Sequence, residues 1–323
     1  MRRMLLALLT LPAAAQAQTT PDDPGTLLPE QVVTATRIPT PATQIAAGTT
    51  VIDRATIQAR GYTSLAEALT AVPGLRVVQS GGLGGNASVF IRGTNSNHVL
   101  VLRDGMPVAD PSDPGGQFNF GVDTLGDVER IEVVRGPMSS LYGSGAIGGV
   151  INLITRRGAG VPKVNLEIAG GLPRAVRGVA GVSGASGMVD YSLNVEGRDE
   201  RGFDTTPRRL SVYNGRRNGY RAALGSLEIG VTPAEGTRAS VYLRGRTSSL
   251  ALDSLGFPSY DAALYRGRDD AVYGRAGITS KLFGGALETG LFVGQVRTDR
   301  RYDQPLEAAD PNQNFGTSRY HGR

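Results

Sequence analysis

The second half of the chain alternates apolar and polar residues with a period of two. The apolar members of four such runs are Val164, Leu166 and Ile168; Val189, Tyr191, Leu193 and Val195; Ala239, Val241 and Leu243; and Val272, Ala276, Ile278 and Leu282. The residues between them, such as Glu167, Asn194 and Arg275, are polar or charged. A period of two is that of a β-strand with one apolar and one polar face. This half is therefore predicted to form strands, in either a soluble sandwich or a barrel.

The connectors between these strands alternate in length. The short ones cover residues 183–187, 232–236 and 283–285, and the long, polar ones cover residues 200–218, 248–270 and 299–316. Short turns at one end and long loops at the other are typical of outer-membrane β-barrels, whereas a sandwich gives no reason for the asymmetry. Counted from Lys163, the pattern predicts about seven antiparallel strands and the start of an eighth at Thr317.

A compact α+β unit is predicted ahead of these strands, over residues 49–157. Ser64 and Glu67 have the spacing of a capping box, which predicts the start of a helix that runs through Thr70. The predicted strands cover residues 50–53, 75–79, 127–135 and 150–155. Because helix and strands occur in one segment, this unit differs in class from the all-β half that follows it.

Residues 89–105 contain two apolar runs around a polar, amide-rich turn. The segment ends in Asp104-Gly105, a pair that is typical of a strand reversal. The pattern predicts a β-hairpin.

A glycine-rich stretch matches a dinucleotide-binding fingerprint at Gly143, Gly145 and Gly148. That fingerprint requires a helix directly after it, whereas the residues that follow read as a strand. Close backbone packing, where side chains would not fit, is the better interpretation.

The predicted strands are too few to enclose the α+β unit. An eight-stranded barrel is filled by its own side chains, whereas barrels of the 22-stranded class hold a plugged lumen. If the α+β unit lies inside the barrel, the 22-stranded class is required, and the strands counted here are about a third of it. Because residues 317–323 run into a strand without an aromatic terminus, the chain is expected to be a fragment or a truncated product.

The first residues predict export. Residues 1–17 run from Arg2 and Arg3 through an apolar stretch to Ala15-Gln16-Ala17, which is the order of a secretory signal. Residues 18–48 form a polar leader that is expected to be flexible. The chain has no cysteine, so thiolate metal sites and cysteine nucleophiles are excluded. Its net charge of +5 is spread without a basic block, so no nucleic acid is expected as a partner.

Several stretches carry a family resemblance. They are Phe-Ile-Arg-Gly-Thr-Asn at 90–95, His-Val-Leu-Val-Leu at 98–102, Arg-Gly-Pro at 135–137, and the Tyr-Gly-rich run that ends in Asn-Leu-Ile-Thr at 152–155. Through them the chain resembles the TonB-dependent outer-membrane transporters, and within these the vitamin B12 (cobalamin) transporters. The match is strongest over residues 30–155. It implies a plug domain at 49–157, followed at 158–323 by the N-terminal part of a transmembrane β-barrel.

The resemblance also implies a TonB box, the segment that adds as a strand to the periplasmic protein TonB. Its residues are Glu30, Gln31, Val32, Val33, Thr34, Ala35, Thr36 and Arg37. A short β-prone segment in a flexible leader suits strand addition on physical grounds. An ordinary first strand of the domain is the alternative.

A ligand is expected to meet the plug at two polar loops, residues 79–88 and 107–119, because amides bind a polar molecule without a charge that would trap it. By resemblance to the cobalamin transporters, the ligand-binding positions are Asn86, Ser88, Asn95, Asp113 and Pro114. Turns favour these residue types in any case, so solvated turn residues are the alternative.

The leading hypothesis is TonB-dependent active import of a cobalamin-like ligand across the outer membrane of a Gram-negative cell. An iron-siderophore receptor of the same family is the first alternative. An exported protein that binds or adheres without transport, or a truncated inactive fragment, is the second. His98 and His321 lack catalytic neighbours in the sequence, so no enzymatic activity is expected.

No cofactor is expected. The cobalamin transporters order long loops with calcium, but Arg216 and Arg217 in the corresponding region would repel it. Asp204, Asp253 and Asp261 remain as stray candidates for calcium binding.

Overall fold

The computed structural model of the 323-residue chain describes residues 31–37, 40–45, 47–111, 113, 115–172, 174–204, 206–211, 213, 215–253, 264–308, 310 and 315–322. The predicted signal peptide at 1–17, Glu30, Pro114 and Asp261 therefore lie outside the described residues.

The first half contains short strands and helices. They are β1 (Gln31–Val32), β2 (Thr40–Pro41), β3 (Gly48–Asp53), α1 (Arg54–Ala59), α2 (Leu65–Thr70), β4 (Leu75–Gln79), β5 (Ala87–Ile91), β6 (Val99–Arg103), β7 (Met106–Pro107), β8 (Val128–Arg135), α3 (Ser139–Tyr142) and β9 (Gly149–Thr155). Short 3₁₀ helices cover Ala42–Gln44, Ser96–His98 and Ser144–Ala146. The expected α+β class is confirmed.

A five-stranded sheet in the order β3-β8-β9-β6-β7 forms the centre of this plug. Its pairs are antiparallel except β6 with β9, which run parallel. β4 and β5 form a separate antiparallel pair. The hairpin predicted over residues 89–105 is therefore wrong, because β5 pairs back to β4 while β6 joins the central sheet beside β9.

Local sequence signals account for several of these elements. The Ser64 hydroxyl accepts from the Glu67 amide at 3.3 Å, and the Glu67 carboxylate accepts from the Ser64 amide at 3.1 Å, so the capping box forms as predicted. Asp104 and Gly105 have φ values of 47° and 82°, as a tight turn between β6 and β7 requires. A Cβ on Gly149 would overlap the Val134 carbonyl oxygen, which supports close backbone packing in the glycine-rich stretch.

The second half is one antiparallel meander of eight strands, here called the barrel sheet. Its strands are β10 (Lys163–Gly171), β11 (Ala175–Ser186), β12 (Val189–Glu200), β13 (Tyr220–Ala234), β14 (Thr237–Ala251), β15 (Arg266–Leu282), β16 (Leu287–Gln304) and β17 (Gly316–Gly322). The number of strands and the alternation in connector length are as predicted. Two long connectors are shorter than expected, because β14, β15 and β16 continue into the polar segments 248–270 and 299–316.

The plug packs against one face of the barrel sheet. Inward-facing Tyr242 and Tyr273, which are 2% and 6% exposed, join the apolar core of the plug beside Leu125 and Val101. Their outward-facing neighbours Val241 and Leu243 are about half exposed. The two faces of the strands are thus separated as the period of two predicts. Among the described residues, no helix is long and apolar enough to cross a membrane.

Candidate ligand face and N-terminal segment

The two polar loops that were expected to meet a ligand lie side by side. The Asn119 side chain accepts from the Ala87 amide at 3.0 Å, and the Phe120 amide donates to the Ala87 carbonyl at 3.1 Å. The Gln117 amide group lies 3.4 Å from the Ser88 hydroxyl. Loops that are separate in sequence therefore form one polar surface, here called the ligand face.

The segment around Asn95 reaches the same surface. The Ser96 hydroxyl accepts from the Val89 amide at 3.2 Å, which ties this turn to β5. A Cβ on Gly115 would lie 4.0 Å from the Cβ of Asn97, so the turn after Asp113 lies beside it. Three segments of the plug thus converge.

The predicted ligand residues differ in their surroundings. Asn86 and Asn95 are exposed, and no side-chain bond from Asn95 caps the 3₁₀ helix that follows it. Ser88 is partly buried on β5. The Asp113 carboxylate accepts from the amides of Gly115 and Gln117 at 2.8 and 3.1 Å, so it shapes its own turn. Asn86 and Asn95 are therefore better placed than Asp113 to contact a ligand.

Two aromatic residues from the barrel half border the glycine-rich part of this face. A Cβ on Gly84 would overlap the ring of Tyr220, and one on Gly82 would lie 3.4 Å from Phe203. Phe203 lies in the long connector between β12 and β13, where Tyr220 begins β13. The ligand face therefore lies at the end of the barrel sheet that has the long loops. Nothing in the spacing of Phe203 and Tyr220 pointed to this contact.

A buried ionic cluster lies beneath the ligand face. Arg103, which is 2% exposed, lies 2.7 Å from Asp123 and 3.3 Å from Asp127. Arg244 of β14 pairs with both aspartates, and the Tyr242 hydroxyl donates to Asp127 at 2.5 Å. The plug is thus joined to the barrel sheet by charge as well as by apolar packing. The only signal for this in the sequence was a charge at the end of the apolar strand β6.

The charges in this cluster hold each other in the ionised form. Burial alone would raise the pKa of Asp123, but Arg244 and Arg103 outweigh it and lower the pKa to about 2. Burial opposes the charge of Arg103 as well, yet Asp123 and Asp127 raise its pKa well above the ordinary value. The cluster therefore stays charged at neutral pH.

A second ionic contact holds the loop 107–119. Asp110 lies 2.5 Å from Arg300 of β16, which also contacts Asp269 of β15 at 2.9 Å. A cavity of about 70 Å³ separates this loop from the barrel sheet. The loop that carries part of the ligand face is thus attached to the barrel sheet through Asp110.

The N-terminal segment 31–37 is docked on the plug rather than exposed. Glu132, fully buried on β8, accepts from the amides of Val33 and Thr34 at 3.1 and 2.9 Å and from the Thr34 hydroxyl at 2.5 Å. Tyr142 donates to the Thr34 carbonyl at 2.8 Å. Burial raises the pKa of Tyr142, which keeps its hydroxyl a donor. The predicted exposed edge is therefore concealed in this structure.

Asn152 connects this docked segment to the turn that precedes loop 107–119. Its amide nitrogen donates to the Thr34 hydroxyl at 3.0 Å, and its amide oxygen accepts from the Gly105 backbone at 3.1 Å. Arg37 packs over the Tyr142 ring at 4.6 Å and donates to the Leu141 carbonyl. Glu132 and Asn152 read only as strand residues in the sequence.

Two of the stray calcium candidates, Asp204 and Asp253, lie near each other. Thr206 donates from its amide to Asp204 at 2.9 Å and from its hydroxyl to Asp253 at 3.3 Å. In the part of the chain that the structure describes, no group of three or more histidine, aspartate or glutamate side chains is placed to hold a metal ion.

Comparison with known proteins supports the fold and the plug. Residues 41–150 match the family model of the TonB-dependent Receptor Plug Domain. The vitamin B12 transporter BtuB of Vibrio vulnificus (strain CMCP6) is 48% identical over 124 residues, which are 38% of this chain and 20% of that protein.

Solved receptors share the architecture of both halves. The ferric yersiniabactin uptake receptor FyuA of Yersinia pestis has a TM-score of 0.66 at 18% identity, over 81% of this chain and 42% of that receptor. A mutant of the ferric enterobactin receptor PfeA of Pseudomonas aeruginosa has a TM-score of 0.66 at 20% identity, over 89% of this chain and 46% of that receptor. The chain therefore spans less than half the length of these proteins.

Residues 41–150 thus form a TonB-dependent receptor plug domain. The barrel sheet has the fold of the corresponding part of the solved receptors. In the plug, the chain is similar in sequence to the vitamin B12 transporter BtuB. This family is one of receptors and transporters.

Proposed function

We propose that the protein imports a cobalamin-like ligand across the outer membrane in a TonB-dependent manner. The observation that carries the proposal is the 48% identity over 124 residues to a vitamin B12 transporter. This similarity covers one fifth of that transporter, so the proposal extends from the plug to the whole protein.

The chemistry of the ligand face fits such a ligand. Its exposed or partly buried polar side chains include those of Asn86, Ser88, Asn95, Gln117 and Asn119. Amides and hydroxyls both donate and accept hydrogen bonds, so they suit a large ligand that is itself rich in amides. An anionic ferric siderophore would instead favour cationic groups on this face.

The N-terminal segment supplies the proposed connection to TonB. Segment 30–37 would pair with TonB by strand addition, with main-chain hydrogen bonds giving the affinity. In the docked arrangement, Val32 and Thr34 are fully buried, and Glu132 occupies the amides of Val33 and Thr34. Pairing therefore requires the segment to leave Glu132 first.

Equilibrium binding to the full-length protein tests the ligand. We expect cyanocobalamin to bind and ferric enterobactin not to bind. Asn86→Ala and Asn95→Ala should each weaken cobalamin binding by about fivefold, since a hydrogen bond to a ligand contributes about 1 kcal/mol. Gln58→Ala removes an exposed amide on α1 and should leave binding unchanged. Binding of the siderophore alone would replace the cobalamin proposal with the siderophore alternative.

Uptake tests the transport step. Cells that express the full-length protein should accumulate cobalamin only when TonB is present. Cobalamin binding without TonB-dependent accumulation would instead support an exported binding protein.

A further inference from the structure

The outward face of the barrel sheet carries an apolar band. Its members point away from the plug, and include Leu193, Val195, Ile229, Val241, Leu243, Val272, Ile278, Leu291 and Val293, each more than 40% exposed. Such a band is what lipid tails would cover in the proposed membrane location.

Above this band, toward the long loops, the outward positions become charged. Asp199, Arg221, Ser249, Arg268 and Arg301 are successive cross-strand neighbours from β12 to β16. They face outward because the residues before them alternate into the interior, as the buried Arg198, Tyr220 and Ser248 show. This row of charged and polar residues therefore marks the end of the apolar band.

An open recess of about 770 Å³ lies at one end of this row. The charged residues that line it are Arg174, Arg201, Arg216, Arg217, Arg221, Arg266, Asp199 and Glu200. Of the described lining residues, six are thus arginines and two are carboxylates. Asp199 already pairs with Arg221 at 3.0 Å, and Glu200 pairs with Arg198 at 2.6 Å.

Three other outward arginines each have an acidic neighbour. Arg268 lies 2.8 Å from Asp270, Arg301 lies 2.7 Å from Asp303, and Arg319 lies 3.7 Å from Asp299. The excess of positive charge is therefore larger in the recess, where six arginines accompany two carboxylates, than in the neighbouring group of Arg268, Arg297, Arg301 and Arg319, which accompanies Asp270 and Asp299.

We propose that this recess binds the phosphate groups of a phosphorylated glycolipid in the leaflet around the long-loop end of the barrel. Guanidinium groups match phosphate oxygens in a bidentate geometry, and they are favourable where apolar surface meets anionic headgroups. The recess is much larger than one phosphate, and Ser249 and Glu200 supply partners for sugar hydroxyls. The inference rests on the proposed outer-membrane location.

Nanodiscs containing the full-length protein provide the test. The discs consist of phosphatidylethanolamine with a minor fraction of bisphosphorylated lipid A, and native mass spectrometry counts the lipid A molecules retained per protein. The wild type should retain lipid A, and the triple variant Arg201→Gln, Arg217→Gln, Arg266→Gln should lose about a hundredfold in affinity, from about fivefold for each arginine near an anionic surface.

The matched control is the triple variant Arg268→Gln, Arg301→Gln, Arg319→Gln, which removes the same charge from the same outer face. It should bind lipid A as the wild type does, and equal losses in both triple variants would refute a specific site. Ser249→Glu, which adds a negative charge to the recess and keeps every arginine, should also weaken retention. This single change provides the readout if the first triple variant fails to fold.

Two further arms identify the source of the phosphate. Dephosphorylated lipid A should not be retained, and inorganic phosphate should not displace the bound lipid at equal concentration. Displacement by inorganic phosphate would replace the lipid proposal with a site for free phosphate. Membrane fractionation separates this inference from the proposed function. Absence of the protein from the outer membrane would overturn both proposals. Correct localisation without retention of lipid A would overturn only the proposed lipid site.

Discussion

Release of the N-terminal segment should be controlled by one buried carboxylate. Glu132 accepts three hydrogen bonds from Val33 and Thr34. At about 1 kcal/mol of net stabilisation for each, these bonds hold the segment by about 3 kcal/mol. Glu132→Ala should therefore raise the ratio of released to docked segment by about a hundredfold. Glu132→Gln keeps one acceptor oxygen and should have a smaller effect.

A spin label on the segment measures this ratio. The chain has no cysteine, so Thr36→Cys gives a single labelling site on an exposed side chain. In the otherwise unchanged protein the label should report a restrained segment, and Glu132→Ala should convert most of the spectrum to a mobile component. The variant should also bind a TonB fragment more tightly without cobalamin, because less free energy is spent on release.

The matched control is Glu129→Ala on the same strand. Glu129 is about half exposed and lies 3.6 Å from Arg156, and among the described residues it forms no hydrogen bond or ion pair with segment 31–37. Its removal should leave the label restrained. An immobile label in Glu132→Ala, or equal release in both variants, would refute the assignment of Glu132 as the residue that holds the segment.

Three other changes test the packing of the plug. The pKa of Asp123 is held to about 2, below its ordinary 3.8, so above pH 3.8 the ionised carboxylate should stabilise the folded protein by about 2 kcal/mol. This stabilisation should be lost as the pH falls through 2. In thermal unfolding at acid pH, Asp123→Asn should therefore show a flatter pH dependence than the wild type. Gly149→Ala should destabilise the protein by about 3 kcal/mol or more in denaturant unfolding, whereas Gly61→Ala, where a Cβ meets nothing within 4 Å, should cost only about 1 kcal/mol. Thr34→Val should raise the ratio of released to docked spin-labelled segment by about thirtyfold, because its hydroxyl bonds to Glu132 and Asn152 are lost at about 1 kcal/mol each.

Local patterns in the sequence predicted much of the fold. The spacing of Ser64 and Glu67 predicted the start of α2, and the Asp104-Gly105 pair predicted the turn after β6. The period of two predicted which side chains of the barrel sheet face the plug, as the burial of Tyr242 beside exposed Val241 shows. Each of these signals depends on neighbouring residues and on backbone geometry alone.

Contacts between distant segments were not predicted. The hairpin at 89–105 failed because β6 finds its partner in β9, about fifty residues later, and periodicity does not specify strand pairing. The polar ends of β14 to β16 were predicted as loops. Beyond the apolar band, the outward side chains of a strand are charged, and such a sequence looks like that of a polar loop.

In the candidate sites, too, residue type and local spacing predicted some features, whereas contacts between distant segments were not predicted. The amide-rich ligand loops could be chosen from residue type, and the structure brings them together through Asn119 and Ala87. The role of Glu132 could not be found from the sequence, because its donors lie nearly a hundred residues away. Arg103 acquires its role only where the plug meets Arg244 of the barrel sheet.

The buried cluster at Arg103 restricts how related sequences can diverge. A single neutral substitution at Arg103 would leave Asp123 and Asp127 with Arg244 alone, and an uncompensated buried charge costs about 3–5 kcal/mol. Replacement of an arginine together with an aspartate leaves the cluster neutral and avoids this penalty. Among homologues, an apolar residue at the position of Arg103 should therefore coincide with the loss of one acidic residue at Asp123 or Asp127. Because Arg244 lies on the barrel sheet, its loss should likewise coincide with the loss of one of these plug aspartates, and a plug exchanged between relatives should keep its stability only where the new barrel wall balances its charge.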